Sequence, residues 1–146
     1  AAADGWTYAS TGTGRIQVAS GQLRMDSATE GSPALNEAIL HLDLDGQSGV
    51  QLSFDHINAA DEAHALPTTF TGHANGDGVA FSADGTTWHR LTALDGSFTG
   101  QAFDLDAAIA AAGISYTNDF QIKFQQYDNY SWGLDGRAFD NILVTV

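Results

Sequence analysis

The chain contains no cysteine. That absence excludes a disulfide scaffold, a thiolate nucleophile and any zinc site built on thiolates. Basic residues are nearly as scarce: four arginines and a single lysine, Lys123, stand against eighteen acidic residues, giving a formal net charge of -13. A phosphate backbone would be repelled over the whole surface, so nucleic acid is a poor partner, and anionic membranes and strongly anionic polysaccharides are disfavoured with it. Neutral ligands and divalent cations remain. No apolar stretch approaches the roughly eighteen residues that a membrane-crossing helix needs. The opening Ala1-Ala2-Ala3 shows neither the basic nor the apolar region of an export leader and reads as a junction within a larger multidomain chain. Catalytic signatures are missing too. The five histidines, His41, His56, His64, His73 and His89, show no metalloprotease spacing, and no nucleophile elbow, P-loop or dinucleotide fingerprint occurs. The expectation is a protein without enzymatic activity.

What is abundant is period-two alternation. Val50, Leu52 and Phe54 alternate with Gln51, Ser53 and Asp55, and Phe120, Ile122 and Phe124 alternate with Gln121, Lys123 and Gln125. Weaker runs at 15–19, 22–25, 37–44, 78–82, 87–94, 101–105 and 138–146 bring the expected strands to nine. Asp-Gly pairs at 45–46, 77–78, 84–85, 95–96 and 135–136 supply the positive φ angles that tight turns need. One helix of one or two turns is expected near residues 106–112, capped by Asp106 and stopped by Gly113. With no longer helix to build parallel βαβ units, the pattern predicts an all-β protein, a two-sheet antiparallel sandwich forming one domain over 1–146.

Three stretches carry candidate chemistry. On the last strand, Asp140 shares its phase with Ile142, Val144 and Val146, which predicts a carboxylate turned toward apolar surroundings. Such a group needs an arginine, backbone donors or a cation. Asp61 and Glu62, in the irregular stretch after the strand that begins at Val50, and Asp55 near that strand's end add hard oxygen ligands of the kind calcium takes. The same acids also fit ordinary solvated loop charges. The second stretch, Ser82-Ala83-Asp84-Gly85-Thr86-Thr87-Trp88, resembles an Asp-box hairpin and reads as scaffold, with Trp88 buried beneath the turn. The third, residues 125–136, combines Tyr127, Tyr130 and Trp132 with Gln126, Asp128 and Asn129. Aromatic rings that can stack on sugar faces, beside amides and carboxylates that can bond hydroxyls, make these six residues the candidate carbohydrate site. Alternatively, Tyr127 and Trp132 plug the end of the core and Tyr130 alone lies outside. A further possibility is a sheet face bearing Gln121, Lys123 and Gln125.

The segments Asn36-Glu37-Ala38, 61–67, 77–82, 125–130 and 135–142 together resemble jelly-roll modules appended to secreted bacterial proteins. The Trp88 hairpin followed by the closing Ala-Phe-Asp-Asn-Ile strand is similar, more distantly, to reelin-repeat, MAM and carbohydrate-binding-module sandwiches. That resemblance implies a jelly roll, a secreted, extracellular or cell-surface location, and a structural calcium held by the last-strand acid, here Asp140. The expected function is a non-catalytic module binding a polysaccharide or oligosaccharide. The alternative is a calcium-rigidified adhesion or spacer domain of a large surface protein.

Overall fold

The computed structural model describes residues 5–132 and 135–146; residues 1–4 and, in the aromatic stretch, Gly133-Leu134 lie outside the described residues. Eleven strands and one helix follow one another: β1 (Trp6–Ser10), β2 (Gly14–Ala19), β3 (Gln22–Ser27), β4 (Ala34–Leu42), β5 (Gln51–Ala59), β6 (Thr69–Thr71), β7 (Gly78–Ser82), β8 (Thr87–Ala93), β9 (Phe98–Asp104), α1 (Leu105–Ala112), β10 (Phe120–Asp128) and β11 (Gly136–Thr145). They form two antiparallel sheets, ordered β1-β4-β10-β7-β8-β6 and β2-β3-β11-β5-β9. Setting aside the flanking β1, β2 and β6, the remaining strands run β3-β11-β5-β9 against β4-β10-β7-β8. That interleaving is the double Greek key of a jelly roll.

The inward halves of the alternating strands meet between the sheets. Leu23, Met25, Leu52, Phe54, Val79, Phe81, Ile122, Phe124 and Phe139 form this core, with aromatic contacts such as Phe124 edge-on to Phe139 at 5.2 Å. A second, smaller core lies on the outer side of the first sheet, where Leu66, Ala80 and Trp88 pack with Ile39, Phe70 and Ala74. The Asp84 turn holds Trp88 there. Asp84 Oδ1 accepts from the backbone N–H groups of Thr86 and Thr87 at 2.8 Å, and Ser82 Oγ donates to Thr87 O at 2.6 Å.

Several local expectations shift. The helix begins at Leu105, and its N-cap is Asp104, two residues before the expected Asp106, accepting from Ala107 N at 3.0 Å. Asp106, expected as the cap, instead binds the N–H groups of Gly49 and Val50 and the Tyr116 hydroxyl, tying the helix to the loop before β5. Gly113 closes the helix in the left-handed conformation that glycine adopts without steric cost. Two strands, β1 and β6, were not signalled: both lie at sheet edges, where one-sided pairing demands less of the pattern. The outer face bearing Gln121, Lys123 and Gln125 is closed. Lys123 is buried, its Nζ 2.7 Å from Glu37 Oε2, bonded to Gly72 O and 4.0 Å from the Trp88 ring centroid. Gln125 donates to the carbonyls of Ala74 and Gly76, so the segment after β5 covers this face.

Candidate functional site

One end of the sandwich gathers acids from four strand boundaries. Asp61 and Glu62 follow β5, Asp77 immediately precedes β7, Asp128 closes β10, and Asp135 immediately precedes β11. Strand ends converge there because the jelly roll places β5, β7, β10 and β11 in the middle of its two sheets. Asp61, Glu62, Asp128 and Asp135 each offer an oxygen within 4.8 Å of the others, and all but Glu62 are buried.

Arg137, the second residue of β11, is the buried countercharge. Its Nε lies 2.8 Å from Asp61 Oδ2 and 3.2 Å from Asp77 Oδ1, and its guanidinium also donates to Asp95 O. Asp77 is otherwise a backbone clamp, accepting from the N–H groups of Tyr127 at 2.9 Å and His64 at 2.8 Å. Behind the cluster, Asn36 Nδ2 donates to Gln126 Oε1 at 2.8 Å and Ser10 donates to Asn36, which fixes Gln126 toward Asp61.

One guanidinium does not neutralise this many carboxylates. Burial first, then the charge of Asp77, push the Asp61 carboxyl up to about 7 despite Arg137. Burial raises Asp135 to about 6, with Asp128 and Glu62 adding to the rise and the Trp132 N–H opposing it. Asp77 is raised as well, chiefly by burial and against the pull of Arg137. These hard carboxylate oxygens, close together and carrying more negative charge than one guanidinium offsets, could hold a metal ion.

The structure separates the four acids singled out for a metal. Asp61 and Glu62 sit in the cluster, whereas Asp55 and Asp140 pair with each other across β5 and β11. Asp140 does not face the core. Asn141 adopts φ 49°, the register shifts between Asp140 and Leu143, and Phe139, Ile142 and Val144 all reach the core while Asp140 turns away. A bulge flips the side-chain phase that the alternation predicted. Amide donors serve both acids: Asp55 accepts from Gly100 N and Asn141 Nδ2, and Asp140 from Asn141 N.

The aromatic stretch divides as well. Trp132 is 60% exposed and Tyr130 53% exposed, with ring centroids 5.6 Å apart. Tyr127 is half-buried, edge-on to His64 at 5.0 Å, and Asn129 is exposed. Gln126 and Asp128, expected to face a ligand, are buried, and Asp128 belongs to the acidic cluster. The cluster also shapes the aromatic loop. Asp128 Oδ1 accepts from Tyr130 N at 2.9 Å, Asp135 accepts from Trp132 N at 3.0 Å, and Ser131 Oγ, wholly buried, donates to Thr29 O and Ser32 O.

Asp77, Asp135 and Arg137 escaped the sequence reading as site residues. Their signal was present but read as turn chemistry: Asp77-Gly78 and Asp135-Gly136 are strand entrances whose aspartates point into the site. At Gly136 an added Cβ would lie 2.5 Å from Met25 O, so close strand approach demands the glycine. Compared with models of known protein families, with curated proteins and with solved structures, the chain finds no match. Among the described residues no helix is long and apolar enough to cross a membrane.

Proposed function

We propose that this chain is a non-catalytic carbohydrate-binding module of a secreted or cell-surface protein, with a structural calcium at Asp61, Glu62, Asp128 and Asp135. The observation that carries the reading is the exposed pair Tyr130 and Trp132, adjacent to each other on a loop whose backbone is held by two buried carboxylates and a buried serine. Two adjacent exposed aromatics make a contiguous apolar patch, and such patches mark binding surfaces. A rigid ring pair suits the apolar face of a pyranose, because little conformational entropy is lost on binding. Asn129, beside them and exposed, supplies an amide for hydroxyls.

Calcium's part is structural. Bound to the four acids, it supplies positive charge that offsets their repulsion, and so fixes the backbone positions of Tyr130 and Trp132 through Asp128 and Asp135. Tyr127, Gln126 and Asp128 then act from behind the surface, in place of the direct contacts the sequence suggested.

The test combines calorimetric unfolding with a screen of neutral polysaccharides. Chelation should lower the melting temperature by several degrees, and Trp132→Ala should abolish retention of the bound polysaccharide at an unchanged melting temperature. If chelation leaves the melting temperature where it was, the calcium site is refuted. If calcium stabilises but no neutral glycan is retained, the adhesion or spacer function replaces carbohydrate binding.

A further inference from the structure

The outer face of the second sheet is not flat. On β11, Gly136 and Ala138 present almost no side chain, while their cross-strand neighbours are taller: Ala138 lies between Arg24 and Ile57, and Gly136 beside Ala59 with Asp26 close by. The result is a trough of about 370 Å³ lined by Gln22, Arg24, Ile57, Ala138, Gly136 and Asp135 among others. A second hollow of about 260 Å³ shares Gln22 and Ile57 with it and ends at Asp140 and Asp55. From Asp135 to Asp140 the combined hollow follows five steps of chain, about 17 Å at a strand's rise per residue. Its upper end lies beside the aromatic loop, because Asp135, which lines it, accepts from Trp132 N.

From this adjacency we infer that the ligand is a linear, neutral glycan several sugars long, whose chain leaves the Trp132 platform and lies along β11. The inference rests on the carbohydrate reading above and adds where the chain runs. Two features of the trough select that occupant. β11 is hydrogen-bonded on both sides, to β3 and β5, so no strand edge is open to a peptide. Asp140 and Asp55 repel anionic polymers, and the net charge of -13 repels a second copy of the chain. The remaining groups match hydroxyl-bearing rings: an exposed Ile57, the Arg24 guanidinium bonded to Gln22 alone among described protein groups, and carboxylate acceptors.

The experiment is calorimetric titration with the disaccharide and hexasaccharide of gluco-, xylo- and manno-oligosaccharide series, in calcium, on the wild type and three variants. The hexasaccharide of the recognised series should bind at least about tenfold tighter than its disaccharide, equivalent to about 1.4 kcal/mol. Ala138→Phe, which fills the trough, and Arg24→Ala, which removes a wall without touching the core, should each erase that preference and leave disaccharide binding intact. Equal affinity for short and long chains, or a preference that survives both variants, would overturn the trough while leaving the platform standing. Failure of the platform looks different: Trp132→Ala would then leave the disaccharide affinity unchanged. Absence of binding by every series would remove both.

Discussion

At the residue scale, Arg137 is the group on which the acidic end depends. Its side chain is fully enclosed and its charge is divided between Asp61 and Asp77, two carboxylates that are themselves out of water. Replacing it with methionine keeps the volume and deletes the only buried countercharge described in the cluster. Removing one partner of a buried ionic group leaves the other uncompensated, so Arg137→Met should cost roughly 3–5 kcal/mol in urea unfolding. A loss below about 1 kcal/mol would mean that the two acids are protonated or otherwise neutralised in the native protein. The sequence made Asp61 legible as a site residue because it stands in an irregular acidic segment. Arg137 was not, since an arginine after Asp-Gly at a strand entrance looks like any surface charge until the fold buries it.

Bulges and caps decide matters at the scale of the element. Asn141 sits at φ 49°, where a β-branched residue is strained and asparagine or glycine is tolerated, and its side chain also donates to Asp55. Asn141→Val should therefore destabilise by about 1–3 kcal/mol in thermal unfolding, and Asn141→Gly by clearly less, because it keeps the backbone conformation and loses the amide alone. Equal losses for the two would show that the side-chain bond, and not the bulge, is what matters. This element is also where period-two reasoning reached its limit. Alternation located the strand at 138–146 within a couple of residues, yet one extra residue in the ladder moved Asp140 from the expected inner face to the outer one.

For the whole molecule, pH and calcium should act through the same carboxylates. Without a cation, Asp61 and Asp135 hold their protons to about 7 and about 6, above the ordinary aspartate value of 3.8 that applies once the chain unfolds. The folded chain then carries more protons than the unfolded one, so stability falls as pH rises from about 4 to about 7. In chelator, the melting temperature should drop between about pH 4 and about pH 7, and calcium should cancel the drop by favouring the ionised acids. Asp61→Asn should flatten the dependence. That comparison separates the acids from His56, whose pKa is lowered by burial and which therefore acts in the opposite direction, costing stability as pH falls. A metal-free melting temperature that is flat across this range in the wild type would show that the cluster carries no uncompensated charge.

Alternating side chains and Asp-Gly punctuation determined by themselves that this protein is an antiparallel sandwich, since those features act over a few residues and every half-buried strand must display them. They also determined that Trp88 belongs to a braced hairpin. Which acids meet was decided by the tertiary structure, because the jelly roll brings together residues as far apart in the chain as Asp61 and Asp135. Only the packed sheets could bury Lys123 beneath the segment after β5, turn Gln126 and Asp128 inward, and leave Tyr130 and Trp132 outside. Local pattern sets which residues can form strands; burial, and with it the charge state and accessibility of each group, depends on neighbours that the chain supplies from a distance.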